Sequence, residues 1–169
     1  MEVKPKEPRP ELVAFCSQMR PTLVGAMRLY LHDASLAEEF AQEALARTCV
    51  HWHKVRQMEN PRGWVYKVAL NLAKSYLRRR QIEHRAKTRL IRSEIVLPDD
   101  TTSIALRDAL KQLPRRHREA VVLRFYADLT VAETAEVLGC PENTVKSWTR
   151  RGIESLQKGF VEEEVLGHA

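Results

Sequence analysis

The sequence predicts an all-α protein made of two small helical domains. Apolar residues recur at spacings of three and four along most of the chain, and the alternating pattern of strands is almost absent. Glycine and proline are few and lie mainly between the periodic segments. At residues 93–103 the segment SEIVLPDDTTS breaks the helical pattern with a proline, two aspartates and hydroxyl side chains. We therefore expect a flexible linker there between the two helical domains.

The domain boundaries follow from these breaks. We expect a flexible N-terminus at residues 1–10, a first domain at 11–92, the linker at 93–103, a second domain at 104–160 and an acidic C-terminal tail at 161–169. The first domain should hold three helices, at about residues 11–31, 35–50 and 61–91. Pro21 should kink or restart the first of them. Asn60 and Pro61 favour the start of the third, since asparagine caps well and proline suits the first helical position.

Positive charge is concentrated in the middle of the chain. Residues 51–92 hold twelve Lys and Arg against two Asp and Glu, a net charge of +10, whereas the whole chain carries +6. This distribution favours an anionic partner at that segment, such as nucleic acid.

Cysteine usage and hydropathy indicate a soluble, cytoplasmic protein. Cys16, Cys49 and Cys140 are odd in number and far apart, so neither a disulfide framework nor a CxxC metal site is expected. The charged, proline-rich N-terminus is followed by no apolar stretch, and no run is long enough to insert into a membrane.

The most specific local motif is LTVAETAEVLGCPENTVKSWTRRGIESLQKGF, at residues 129–160. Thr130 and Glu133 form a capping box at the start of a helix. Gly139 can end that helix in the left-handed conformation, and Pro141 suits the start of the next. The pattern predicts a helix-turn-helix whose second helix could enter a major groove of DNA. A capped helical hairpin with a basic face also occurs in proteins that do not bind DNA, so other motifs must decide.

Three motifs in the same order and spacing resemble those of bacterial extracytoplasmic-function (group 4) sigma factors. They are DASLAEEFAQEALAR, NPRGWVYKVALNLAKSYLRRR and TVKSW within the helix-turn-helix. The resemblance covers roughly residues 12–92 and 104–160. It implies a three-helix promoter-melting domain and a helix-turn-helix domain, which together direct RNA polymerase to promoters. No catalytic motif is visible, so no enzyme activity, cofactor or metal is expected.

The resemblance assigns a role to the acidic motif on the second helix. Glu39, Gln42 and Glu43 match the family's positions that dock on the clamp helices of the polymerase largest subunit. Because Glu39 and Glu43 are four residues apart, their carboxylates share one helix face with the Gln42 amide. A solvated helix face is the alternative.

The third helix combines aromatic and basic residues, a combination suited to single-stranded DNA. Cations neutralise phosphates, while an aromatic ring or a pocket receives an unstacked base. In the resembled family, this helix and the loop before it, here about residues 55–60, hold the opened minus-ten element. The alternative is that the aromatic residue at position 64 belongs to the core and the arginines at 78–80 form a solvated helix end. The expected strand-binding residues are Trp64, Tyr66, Lys67, Asn71, Lys74 and Arg78.

The resemblance also implies that the second helix of the helix-turn-helix, the recognition helix, reads the minus-thirty-five element as duplex. Here the chain departs from the family pattern at Trp148, Thr149 and Gly152, which puts its promoter preference in doubt. Gly152 is expected to weaken this helix by about 1 kcal/mol relative to alanine at the same position. The expected duplex-binding residues are Asn143, Thr144, Lys146, Ser147, Arg150 and Arg151.

These assignments predict an alternative sigma factor that associates with the nucleoid. Its implied partners are core RNA polymerase, through the clamp helices and the flap of the second-largest subunit, promoter DNA and an anti-sigma factor. One alternative is a stand-alone helix-turn-helix regulator, which leaves the acidic and aromatic motifs unexplained. The other is a metal-dependent nucleic-acid enzyme using Glu38, Glu43, His51 and His53, for which no convincing ligand spacing exists.

Overall fold

The computed structural model describes residues 9–86 and 101–166 of the chain, with side chains at 9–82 and 104–159. All regular elements among these residues are helical, which confirms the predicted fold class. Most of the predicted linker, residues 1–8 and residues 167–169 lie outside the described residues. The helices are α1 (Pro10–Leu31), α2 (Ala34–Val55), α3 (Pro61–Ala86), α4 (Thr101–Gln112), α5 (Arg115–Val121), α6 (Val131–Leu138) and α7 (Glu142–Leu166).

The first unit consists of α1, α2 and α3. The Asp33 carboxylate caps α2 by accepting the Leu36 amide at 2.9 Å, and the Asn60 side-chain oxygen accepts the Gly63 amide at 2.7 Å. The expected restart at Pro21 is wrong, because α1 runs from Pro10 to Leu31 with Pro21 inside it. Alanines on the facing sides of α2 and α3 are buried, so the two helices approach closely around the larger side chains of α1.

The second unit consists of α4 to α7 and contains the predicted helix-turn-helix. The capping box of α6 is formed in both directions, with the Glu133 amide donating to the Thr130 hydroxyl at 3.2 Å and the Thr130 amide donating to the Glu133 carboxylate at 2.7 Å. Gly139 ends α6 with a φ of 65°, the left-handed conformation predicted for it. The helix α7 continues to Leu166, into the segment predicted as a tail.

After Val121, the backbone of α5 continues as one π-helical turn, Val122–Tyr126. Its wider hydrogen bonding joins the Ala127 amide to the Val122 carbonyl at 3.0 Å. Single π-helical turns change the direction of the side chains that follow and often mark functional positions. Here the turn precedes the residues that carry the chain from α5 into the helix-turn-helix.

The two units share one hydrophobic core. Buried side chains from the π-helical turn, the following loop and α6 pack in the same cluster as those of α1, α2 and α3. The predicted pair of helical units is therefore present, but the units are in contact. Burial of these apolar side chains favours the contact, since each would otherwise face water. The contributors from the second unit are Val122, Leu123, Ala127, Leu129 and Val137.

Gly152, expected to weaken α7, has a packing role. It is buried where α7 crosses α5, and a β-carbon at this position would lie 2.6 Å from Cγ2 of Val121. A valine side chain is stiff and cannot move aside at low cost. The loss of helix propensity at Gly152 is thus offset by the close approach of the two helices.

Replacing Gly152 by alanine should destabilise the protein, although alanine is the better helix former by about 1 kcal/mol. The expected loss is about 1–3 kcal/mol of unfolding free energy, because the added methyl group overpacks the crossing. The measurement is urea denaturation followed by circular dichroism. In a Val121→Ala background the same change should cost less than in the wild type. Equal or higher stability of Gly152→Ala alone would contradict this packing account.

Candidate nucleic-acid interface

The basic residues of α3 form one stripe along the helix. Lys67, Asn71, Lys74 and Arg78 follow at intervals of three and four, so they share a face. Lys67, Asn71 and Arg78 are exposed, whereas Lys74 is half-buried. Near the start of this stripe, Trp64 is partly buried against the core, with its ring edge-on to His51 at a centroid distance of 6.3 Å. These side chains can offer cations, an amide and one aromatic edge to a strand of nucleic acid.

Tyr66 is a correction to the expected strand-binding set. Its side chain is buried in the core, with 1% of its surface exposed, and burial raises its pKa to about 12. Tyr66, Leu70 and Ala73 share a buried face of α3, turned away from Asn71. Tyr66 therefore belongs to the core that the two units share and is not available to a strand in this arrangement.

Lys74 lies in an ionic cluster around Glu119 of α5, whose own side chain has no solvent exposure. Its Nζ is 3.3 Å from the Glu119 carboxylate. Arg115 Nε and Arg116 Nη1 are each 3.2 Å from the same carboxylate. The Tyr30 hydroxyl donates to it at 3.1 Å and accepts from Arg115 at 2.7 Å. We call Glu119, Tyr30, Lys74, Arg115 and Arg116 the Glu119 cluster; it joins α1 and α3 of the first unit to α5 of the second.

Burial changes the acid–base properties of this region. It lowers the pKa of Lys74 below the ordinary lysine value, while the charge of Glu119 and its hydrogen bond oppose that shift. Burial also lowers the pKa of Arg118 and raises that of Tyr30. Glu119 is thus the group that favours the charged form of Lys74.

The recognition helix α7 presents a second polar face. Asn143, Lys146, Arg150 and Arg151 are exposed, and Thr144 and Ser147 are partly exposed. Arg150 is paired with Glu154, one turn along, at 2.9 Å. A groove of about 450 Å³ runs beside this face and is lined on its other side by α6 and the π-helical turn. The face is therefore open to a ligand, as a duplex-reading helix requires.

Of the residues that depart from the family pattern, Trp148 is accounted for by a contact with α5, whereas the structure does not explain Thr149. The Arg116 guanidinium lies 5.7 Å from the centre of the Trp148 ring, so Trp148 contacts α5. Thr149 is partly buried, and its hydroxyl has no hydrogen-bond partner. Trp148 therefore helps to attach the recognition helix to α5.

The acidic face of α2 is exposed on the first unit. Glu39, Gln42 and Glu43 are all open to solvent, and Glu43 is paired with Arg47 at 2.7 Å. No part of the second unit among the described residues takes part in that pair. The face can thus meet a basic partner without any movement of the two units.

The two histidines of the metal-dependent enzyme alternative do not form a metal site among the described residues. His51 and His53 are exposed near the end of α2. Across residues 9–86 and 101–166, no group of three His, Cys, Asp or Glu side chains has the geometry to hold a metal ion. In the same residues, no helix is both long and apolar enough to cross a bilayer.

Comparison with known proteins matches both units to one family. Residues 15–82 match the family described as Sigma-70 region 2, and residues 103–156 match Sigma-70, region 4. An RNA polymerase sigma-E factor of Streptomyces antibioticus is 30% identical over 72% of this chain and 69% of its own. This chain belongs to the extracytoplasmic-function sigma factors. It is accordingly an alternative sigma factor that directs transcription initiation, and a stand-alone regulator is less supported.

Other relatives extend the similarity over nearly the whole chain. The sigma-E factor of Streptomyces coelicolor is 28% identical over 94% of this chain and 91% of its own. SigV of Bacillus subtilis is 27% identical over 80% of this chain and 82% of its own. A solved structure of the sigma factor RpoE from Bartonella quintana, in complex with the anti-sigma factor NepR, superposes with a TM-score of 0.82. It covers 90% of this chain and 98% of its own at 20% identity, so the fold is shared.

Sequence reasoning missed the residues that join the two units of this sigma factor. Glu119 follows Arg115 and Arg116 by four and three residues, which is typical of a solvated ion pair on a helix. A signal was present: Val122 and Leu123 lie three and four residues after Glu119, on the same inward face. Tyr30 and Arg62, which also contact the second unit, gave no comparable signal.

His32 lies at the buried end of α1, beside the second unit. Burial lowers its pKa from 6.5 to about 4, and the positive charges of Arg118 and Lys111 add to this effect. As the pH falls from about 6.5 to about 4, the unfolded chain therefore binds a proton that the folded chain does not, and the unfolding free energy should decrease.

Substitution of His32 by asparagine, which also tolerates the left-handed backbone found there, should remove part of this pH dependence. Urea denaturation at several pH values measures the effect, with His53→Asn as the control for loss of an exposed histidine. If the unfolding free energy of His32→Asn depended on pH as that of the wild type does, the assignment of this effect to His32 would be wrong.

Proposed function

We propose that this sigma factor binds core RNA polymerase through α2, reads upstream duplex DNA through α7 and holds the opened minus-ten strand through α3. The observation that carries the proposal is the stripe on α3, where Lys67, Asn71 and Arg78 are exposed on one face beside Trp64. Exposed cations spaced along one helix suit a phosphate backbone, and an aromatic edge beside them suits an unstacked base.

The α7 face supports duplex reading. Lys146 and Arg150 are exposed one turn apart, at the spacing with which a recognition helix contacts base edges and phosphates. The opening of the groove beside them leaves room for the DNA backbone on the side of α6. Asn143, Thr144, Ser147 and Arg151 complete the proposed set.

The α2 face supports docking on a basic partner. Glu39 and Glu43 present carboxylates one turn apart with Gln42 between them, and all three are exposed. We assign them to the clamp helices of the polymerase largest subunit, and the second unit to the flap of the second-largest subunit. In this role the protein has no catalytic activity of its own and acts in the cytoplasm with the nucleoid.

An anti-sigma factor is the proposed regulator. The RpoE structure that shares this fold was solved with the anti-sigma factor NepR. A protein that binds both units together would cover surfaces that the polymerase and DNA also need.

Purified protein added to core polymerase should give specific transcription starts on a library of promoter fragments. Glu39→Ala combined with Glu43→Ala should weaken core binding at least several-fold, since exposed charges at a rim mainly steer and orient a complex. Glu11→Ala combined with Glu59→Ala, which removes two exposed carboxylates of the first unit outside the acidic face, is the charge-matched control. Absence of both core binding and specific starts with the wild type would refute the proposed function.

Two single substitutions should separate the roles of the two DNA surfaces. Lys146→Ala should weaken binding to upstream duplex by about 1–2 kcal/mol, with Lys158→Ala on the same helix as the charge-matched control. Asn71→Ala should leave duplex binding unchanged and reduce the fraction of open complexes, measured by permanganate reactivity of unpaired thymines. If both variants changed only duplex affinity, the proposed division between α7 and α3 would be wrong.

A further inference from the structure

The helices α1 and α2 pack side by side in antiparallel directions, and pairs of side chains between them fix their register. Glu11 of α1 forms an ion pair with Arg56 of α2 at 3.7 Å, and the ring centres of Phe15 and Trp52 are 5.1 Å apart. A step of four residues forward along α1 is therefore matched by a step of four residues back along α2. This register places the residue that follows Phe15 opposite the turn of α2 at residues 48–52.

Two of the three cysteines lie side by side at this place. Cys16 follows Phe15, and Cys49 lies in the opposing turn, three residues before Trp52 on one face of α2. Cys49 is exposed, whereas Cys16 is half-buried against the core. Burial raises the pKa of the Cys16 thiol to about 11, and the neighbouring Cys49 thiol adds to this rise. The two thiols are thus neighbours, although the residues are far apart in the sequence.

We propose that Cys16 and Cys49 form a redox-modification site, at which hydrogen peroxide converts the two thiols into a disulfide that joins α1 to α2. The site belongs to the first unit alone, and the inference does not rest on the proposed DNA and polymerase surfaces. The third cysteine, Cys140, lies in the turn before α7 and takes no part.

The two cysteines have different parts in the reaction because their exposure differs. The accessible Cys49 thiolate attacks one peroxide oxygen, the O–O bond breaks, hydroxide leaves and is protonated to water, and Cys49 becomes a sulfenic acid. The Cys16 sulfur then attacks the Cys49 sulfur, the S–O bond breaks, and the oxygen leaves as a second water with the Cys16 proton. Two thiols and one hydrogen peroxide thus give one disulfide and two waters, and the thiol sulfurs supply the two electrons.

The position of Cys16 compensates for its weak acidity. A buried thiol with a raised pKa reacts slowly with reagents in solution. Beside the Cys49 sulfenic acid, the same thiol is at a high effective concentration, so disulfide formation outruns further oxidation of Cys49. Because a thiol of high pKa is a poor leaving group, reduction of this disulfide by thiols should be slow.

The disulfide should stabilise the first unit. It closes a loop of about 30 residues, which contains the turn between α1 and α2, and this closure lowers the entropy of the unfolded chain. The oxidised sigma factor should therefore stay folded under conditions that unfold the reduced one.

The test uses the full chain, reduced and then treated with a small molar excess of hydrogen peroxide. Peptide mass spectrometry without reductant should find the peptides of Cys16 and Cys49 joined, and the free thiols should fall from three to one. The thermal midpoint measured by circular dichroism should rise by about 10 °C and should return to its starting value after prolonged treatment with dithiothreitol.

Three substitutions provide the controls. Cys140→Ser removes a thiol outside the pair and should leave both the joined peptides and the rise in thermal midpoint unchanged. Cys49→Ser, at an exposed position where folding is not at risk, should lose both effects. Cys16→Ser should leave the Cys49 sulfenic acid without its partner, so trapping by dimedone should be at least several-fold greater than in the wild type.

The outcomes are distinct from those that test the proposed function. Oxidation of Cys49 alone in the wild type, or a disulfide that joins two chains, would overturn the proposed site. Joined peptides with an unchanged thermal midpoint would overturn its stabilising role. Transcription with the reduced protein tests the proposed function independently of either result.

Discussion

The arrangement of this sigma factor depends on one buried carboxylate. Glu119 has no exposed side-chain surface, and an ion in such a place is tolerated only when cations and hydrogen-bond donors surround it. Its partners come from α1, α3 and its own helix, so satisfying its charge fixes α5 against the first unit. Because the side chains of its cationic partners are 23–54% exposed, each of these ion pairs contributes less than a fully buried one would. The shared apolar core then forms around the π-helical turn that follows.

This constraint gives α3 two roles. One face, with Tyr66 and Leu70, is buried in the core that the two units share. The opposite face carries the basic stripe proposed to hold the minus-ten strand, and Lys74 on that face also pairs with Glu119. The upstream duplex-reading face of α7 and the acidic face of α2 remain exposed. The closed arrangement thus affects the proposed strand-binding surface more than the other two.

Local features were predicted well from the sequence, and contacts between distant segments were not. The capping box at Thr130, the end of α6 at Gly139 and the start of α3 at Asn60 depend on neighbouring residues, so their patterns identify them. Tyr66 was misassigned because an aromatic residue among basic ones looks the same in sequence whether it faces the core or the solvent. Its spacing to Leu70 and Ala73 was the overlooked clue. The pairing of Tyr30 with Glu119 joins residues 89 positions apart, and no local pattern marks it.

The most direct test of this account is the distance between the two units in the free protein, with Glu119 present and with Glu119→Gln. Spin labels on exposed Cys49 and on Lys158→Cys, in a chain with Cys16→Ser and Cys140→Ser, allow its measurement by double electron–electron resonance. The account predicts one short distance in the wild type and a longer or broader distribution of distances in the Glu119→Gln variant. An unchanged distance, or units already separated in the free protein, would contradict it.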